Sequence, residues 1–366
     1  MATRSALHAA YPWIKTPLIA SAPMLRIAMA PLAVAVSRAG GLGFLAGGYD
    51  VSTLETELEH AARLVRESDH PIHQVPAEKG VLPIGVGFIN WGADLAVALA
   101  AIQKYTPCAV WLFAPATQPD DLIPWATQVR AVTSGRTRVW VQVGSVAEAV
   151  SVAEALRPDV LVVQGSDAGG HGLARSASVI SLVPEVRDAL AERGMGADIA
   201  LLAAGGIADG RGVAAALALG AAGVAMGTRF LASHEATIAR GYQAEVLRAS
   251  DGGVNTVRST VYDRVRDIHG WPQRYDGRGV INESYVDAVE RGMGDEENRR
   301  LYVEEMKKGD EGWGPKGRMT TYAGTGVGLV RDALPAGDIV RRVLLEADET
   351  IKRLAGERSD TLLTLP

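Results

Sequence analysis

One cysteine, Cys108, stands in 366 residues, which excludes an internal disulfide and any metal centre built from cysteine thiolates. A lone thiol fits a reducing compartment. Its flanks, Tyr105-Thr-Pro before it and Ala109-Val-Trp-Leu-Phe113 after it, make it a packed side chain at the start of a strand. No apolar run approaches the roughly 18 residues of a membrane-spanning helix. Near the N-terminus, Pro12, Trp13 and Lys15 break up the apolar stretch that a signal peptide would need. A cytoplasmic protein with no membrane partner is expected. There is no basic tract, and a net charge of −5 with a pI near 5.9 argues against a nucleic-acid partner. Internal repeats and low-complexity tracts are absent too.

What is present is alternation. Short apolar runs at Pro17 to Ala22, Gly43 to Ala46, Leu82 to Phe88, Ala109 to Phe113, Arg138 to Val143, Val160 to Gln164, Ile199 to Ala204 and Val224 to Met226 read as strands. Between them, Val51 to Arg66, Ala93 to Lys104, Val146 to Leu156 and Gly212 to Leu219 carry helical spacing. Ser52, Asp94, Asp120, Ser145 and Asp209 sit where N-caps belong, and Glu55 and Glu148 complete two capping boxes. Eight strand–helix units close a barrel. An open doubly wound sheet would put its phosphate loop after the first strand, whereas here the glycine clusters follow the sixth, seventh and eighth. The fold class expected is α/β, a (β/α)8 barrel over residues 1–250. From 251 to 320 the chain turns glycine-punctuated and charged, which predicts a small helical lid. Residues 321–366 return from it through Tyr322-Ala-Gly-Thr-Gly-Val-Gly-Leu329 to a periodic helix packed on the barrel.

The chemistry gathers at the strand ends. Gln164-Gly-Ser-Asp-Ala-Gly-Gly-His-Gly172 sets one imidazole, His171, among glycines directly after the sixth strand, where a ligand is met in such a barrel. Gly205 and Gly206 follow the seventh strand; Ala225, Met226, Gly227 and Thr228 end the eighth. Backbone N–H groups there, with the helix start after Thr228, form a cradle for a phosphate that needs no lysine. Ala22, Pro23 and Met24 end the first strand, with the Met24 backbone facing the mouth. Gln142 and Gln164 are amides in apolar strands. Each needs hydrogen bonds, which a flat heterocycle with imide edges or a neighbouring loop would supply. The six other histidines, His8, His60, His70, His73, His234 and His269, have no comparable company and read as surface or packing residues.

Ala22-Pro-Met24, Pro83-Ile-Gly-Val-Gly87, the His171 motif, Ala204-Gly-Gly-Ile207 and Met226-Gly-Thr-Arg-Phe230 together resemble the nitronate monooxygenases. The resemblance implies a TIM barrel that binds FMN without a covalent bond beneath a lid. Met24 would touch the flavin through its backbone, and Gln164, Gly169 and Gly170 would border the ring and ribityl chain. Gly205, Gly206 and Ala225 to Thr228 would hold the phosphate. Many members have an asparagine where this chain has Gly87, and Gln142 is the expected substitute. His171 matches the family's catalytic histidine: it would take the proton next to a nitro group or hydrogen-bond to nitronate oxygens. The course expected is oxidation of an alkyl nitronate, or its parent nitroalkane, by O2 to a carbonyl compound and nitrite, with no nicotinamide consumed. An FMN-dependent enoyl-thioester reductase fed by NAD(P)H is the alternative, and a flavin sensor that has lost catalysis a further one. Among the aromatics of the lid, Trp271, Tyr275, Trp313 and Tyr322, the residue expected to wall the substrate pocket is Tyr322. Either a monomer or a homodimer is compatible with the sequence.

Overall fold

The computed structural model describes residues 7–67 and 80–356; His70 and His73 lie outside them. Eight parallel strands form the central sheet: β1 (Leu18–Ser21), β2 (Phe44–Gly48), β3 (Leu82–Ile89), β4 (Pro107–Phe113), β5 (Arg138–Val143), β6 (Val160–Gln164), β8 (Ala200–Ala204) and β9 (Gly223–Met226). Their order is β1-β9-β8-β6-β5-β4-β3-β2. The two ends meet where Ala20 bridges Leu42, the Ser21 N–H donating to the Leu42 carbonyl and the Leu42 N–H to that of Ile19. This closes the (β/α)8 barrel, and closure leaves no exposed edge.

Period-two alternation sorts each strand into two cores. Leu18, Ala20, Phe44, Ala109, Trp111, Trp140, Val160, Val162, Ala200 and Leu202 fill the barrel. Ile19, Leu45, Val86, Val110, Val141, Leu161, Leu201 and Val224 face outward to the helices. Tyr11 plugs the lower end, where its hydroxyl accepts the Trp140 indole N–H at 2.8 Å. Phe44 packs edge-on against Trp111, with ring centres 5.1 Å apart. Truncating any of these rings to alanine would cost about 3–5 kcal/mol. Cys108 is buried in this interior, and burial pushes its thiol pKa upward.

Three of the expected caps form: Asp94, Ser145 and Asp209 accept from Val97, Glu148 and both Arg211 and Gly212. Ser52 and Asp120 do not cap. The helices there begin at Leu54 and Leu122, behind Thr53 and Asp121, and neither of these makes a side-chain cap bond. Glu148 reaches the N–H of Gly144.

The segment after residue 250 is not purely helical. It contributes β10 (Thr256–Ser259) and β11 (Tyr275–Val280), which join β7 (Gly170–Leu173) in an antiparallel sheet ordered β10-β11-β7. It also carries the helices Gly252–Asn255, Val261–Arg264, Glu283–Val289 and Asp295–Met306 and the 3-10 turn Gly309–Gly312. The many glycines hid these strands, because Gly277 and Gly279 interrupt the side-chain alternation that marks β-structure in sequence. The return segment forms a 3-10 turn, Thr325–Leu329, and the helix Ala336–Leu354 packs against Gly210–Ala218 and Ala30–Arg38. Among the described residues, no helix is long and apolar enough to cross a membrane.

Candidate active site

At the C-terminal mouth of the barrel the top interior position of several strands is no longer a bulky hydrophobe. Two residues above Trp140 comes Gln142, two above Val162 comes Gln164, and the last inward residues of β8 and β9 are the small Ala204 and Ala225. These four, with Ala22, Trp111, Ala168, Gly169, Gly205, Gly206, Ile207, Ala208, Gly227, Thr228, Gly324 and Gly326, line one cleft. No lining residue is charged.

Among the described residues, the backbone N–H groups of Gly205, Gly206, Gly227 and Thr228 have no acceptor. Four unpaired donors from two consecutive strand ends make a cradle for an anion. Gly205 and Gly206 stand at φ 106° and 75°, conformations that only glycine adopts without strain. The two amides are half-committed. Gln142 accepts the Trp111 indole N–H at 3.1 Å through Oε1, and Gln164 donates from Nε2 to the His171 carbonyl at 3.2 Å. Gln142 Nε2 and Gln164 Oε1 have no hydrogen-bond partner among the described residues.

Of the residues singled out in the sequence, Ala22, Gln142, Gln164, Gly169, Gly205, Gly206, Ala225, Gly227 and Thr228 line this one cleft. Pro23, Met24, Gly170 and Met226 are not part of the lining. Met226 faces the outer core. The Met24 carbonyl accepts from Ile27 and Ala28, and among the described residues its N–H has no acceptor. Pro23 explains Gly87: β3 turns Gly87 inward, and a Cβ there would overlap the Cβ and Cγ of Pro23. An asparagine has no room at that position.

His171 stands beside this cleft, two residues beyond Gly169, on β7 of the lid sheet. Its partner across the ladder is Gly277. Nε2 lies 3.0 and 2.9 Å from the two carboxylate oxygens of Asp263. The side chains of His171 and Asp263 are 12% and 8% exposed, so the contact is largely dry. Asp263 reaches it from the short helix Val261–Arg264 after β10. The Tyr322 hydroxyl donates to Asp263 Oδ1 at 3.0 Å. Burial, and then the carboxylate beside it, raise the Tyr322 phenol well above its usual pKa, so it keeps the proton it donates. Trp271 lies flat on the imidazole. Among the described residues Nδ1 has no partner. Tyr322, expected to wall the pocket, does stand 5.3 Å from the imidazole, ring centre to ring centre. Asp263 escaped the sequence reading: an aspartate 92 residues beyond the histidine in a polar stretch carries no periodic or motif signal.

The lid is tied to the barrel around this point. Arg258 and Arg278, opposite each other on β10 and β11, both donate to the Ser166 carbonyl, at 3.4 and 3.2 Å. Asp276 holds Arg258 at 2.9 Å. Across the glycine turns, the Gly324 N–H donates to Thr228 Oγ1 at 3.0 Å and the Thr325 hydroxyl to Asp167 Oδ1 at 2.9 Å. Tyr49, Trp91, Phe113 and Tyr275 extend an aromatic wall from Trp271.

The nitronate monooxygenase family model matches residues 122–346. "Nitronate monooxygenase npaC" of Metarhizium robertsii is 52% identical over 92% of this chain and 93% of that protein. A nitronate monooxygenase of Neurospora crassa is 40% identical over 95% and 93%. Among solved structures, the nitroalkane oxidase of Streptomyces ansochromogenes superposes with a TM-score of 0.70 at 25% identity, covering 95% of this chain and 99% of that one. With a closed barrel, an uncharged cleft of backbone donors and a buried histidine at its edge, this chain is an oxidoreductase that belongs to the nitronate monooxygenase family.

Proposed function

We propose that the cleft binds FMN and that the enzyme uses O2 to oxidise alkyl nitronates, and the nitroalkanes that His171 deprotonates, to carbonyl compounds and nitrite. The observation that carries this reading is the juxtaposition of two sites: four N–H donors in an uncharged cleft and, beside it, the His171 imidazole, with no partner for these donors or for Nδ1 among the described residues. The N–H groups of Gly205, Gly206, Gly227 and Thr228 suit a phosphate. Gln142 and Gln164 keep amide atoms for the imide edge of a flavin ring, with Ala22 beside them and Gly169 along the ribityl chain. Bound FMN supplies an electron acceptor for the nitronate and a route to O2.

The protein's own contribution is acid–base and positional. His171 accepts the α-proton of the nitroalkane, the C–H pair moves into the nitro group, and the resulting anion stays beside the imidazolium. The lid, residues 251–320, excludes water through Trp271 and its aromatic neighbours, and residues 321–356 of the return segment clamp it over the barrel. The buried lone cysteine fits a cytoplasmic enzyme. His171→Asn should leave FMN bound while nitrite release from neutral nitroalkanes falls by about 10²-fold or more; unchanged turnover removes His171 from the mechanism.

A further inference from the structure

His171 has two ring nitrogens, and its contacts with Asp263 and Tyr322 decide which of them accepts a proton. A carboxylate accepts hydrogen bonds and does not donate, so an Nε2 placed between two carboxylate oxygens carries the hydrogen. In a neutral imidazole the other nitrogen, Nδ1, then holds the lone pair. We propose that Asp263 is the positioning residue that fixes the His171 tautomer and makes Nδ1 the proton acceptor, with the Tyr322 hydroxyl locking the rotation of the carboxylate.

Three observations converge on this. Both carboxylate oxygens of Asp263 lie within 3.0 Å of Nε2. Tyr322 donates to Oδ1 at 3.0 Å, which leaves the aspartate no reason to turn away. Trp271 covers one face of the ring at 3.7 Å between ring centres, so the imidazole cannot flip to exchange its nitrogens without displacing the indole. Arg266 also faces this cluster: its guanidinium hydrogen-bonds to the Tyr322 side chain and lies 5.6 Å from the centre of the Tyr322 ring.

The step balances without a co-reactant. The bond between the substrate α-carbon and its hydrogen breaks, the N–H bond at Nδ1 forms, and the released electron pair becomes the nitronate. The positive charge created on the imidazolium faces a carboxylate already in place, which lowers the cost of separating charge in a dry site.

The inference rests on the nitronate reading for its kinetic arm and stands apart from it in its spectroscopic arm. In protein labelled with ¹⁵N-histidine, long-range ¹H–¹⁵N correlation identifies each tautomer, and His171 is assigned by the signal missing from His171→Asn. The expected result is the Nε2–H form in the wild type and a mixed population in Asp263→Asn. A wild-type Nδ1–H form overturns the proposal, whatever the substrate.

Kinetically, Asp263→Asn should lose about 10²-fold in kcat on neutral nitroethane, with KM shifting less than about threefold. Turnover of preformed ethylnitronate, which has no α-proton left to remove in this step, should fall less than about threefold. The isotope effect with α-deuterated nitroethane should rise. Asp263→Glu should recover part of the loss. Tyr322→Phe should cost about tenfold on the neutral substrate and little on the nitronate, and it carries the test if Asp263→Asn fails to fold. Equal losses on both substrates, or no loss on either, overturn the proposal. A wild type that makes no nitrite from either substrate defeats the functional reading instead, and the tautomer result still decides the role of Asp263.

Discussion

The indole of Trp271 lies flat on the imidazole of His171, ring centres 3.7 Å apart and planes within 2° of parallel. One face of the proposed base is therefore closed by the lid, and the substrate must approach from the ring edge or the opposite face unless it displaces the indole. Trp271→Ala should open this side. Turnover of short nitroalkanes is expected to drop about tenfold as water reaches the site, while longer or aromatic nitro compounds gain relative to them. Trp271→Phe, which keeps a flat ring, should retain most of the activity. Nitrite release across a chain-length series measures both effects, and an unchanged profile in the alanine variant would show that Trp271 does not bound the pocket.

The glycine turn after β8 gives a second prediction. Alanine at 205 would be forced to φ 106° and would crowd the Ala168 backbone and the Gly165 carbonyl. Strain of about 1–3 kcal/mol is expected from the backbone alone, and the turn can relieve it only by moving its N–H groups. Gly205→Ala should lower FMN occupancy at least tenfold, read from the ratio of flavin to protein absorbance after dilution, with far-UV circular dichroism unchanged.

Gly87 supplies a third. Gly87→Asn drives a side chain into Pro23. Overpacking of this kind costs about 1–3 kcal/mol, so the variant should melt several degrees lower. Pairing it with Pro23→Ala should recover part of the loss; a fully additive double variant would show that the two positions do not press on each other.

The lid's acid sensitivity is the fourth. Asp287 is buried, which opposes its ionisation, but hydrogen bonds from Arg318 and Arg291 prevail and hold its carboxyl below the usual value. A depressed folded pKa contributes stability that is complete above the unfolded value of about 3.9 and is lost as pH falls through the folded one. Tryptophan fluorescence should therefore report lid loosening only in strong acid, below about pH 4. Asp287→Asn should destabilise the lid by about 1–3 kcal/mol at neutral pH and flatten that acid transition. An unaltered titration would contradict it.

Sequence carried the barrel and the cleft because both depend on local signals. Apolar runs of strand length that end in Gly205-Gly206 or Gly227-Thr228 can hardly be read otherwise, and Gln142 and Gln164 stood out as amides amid valines. It did not carry the lid strands, where glycine erases the alternation. Nor did it carry the partnership of His171 with Asp263, which β7, β11 and β10 create by pairing across about a hundred residues. The one aromatic chosen from the lid, Tyr322, does sit at the histidine, yet Trp271, weighed beside it, makes the closer contact. That choice needed the fold of the loop before β11, which no spacing rule supplies.

The most direct test of the account is oxygen uptake and nitrite release by the FMN-loaded protein given ethylnitronate in air, with no nicotinamide present. Nitrite formed together with oxygen consumption is the predicted result. A protein that takes up no FMN, or one that makes no nitrite and whose flavin is instead bleached rapidly by NADPH under anaerobic conditions, would contradict it.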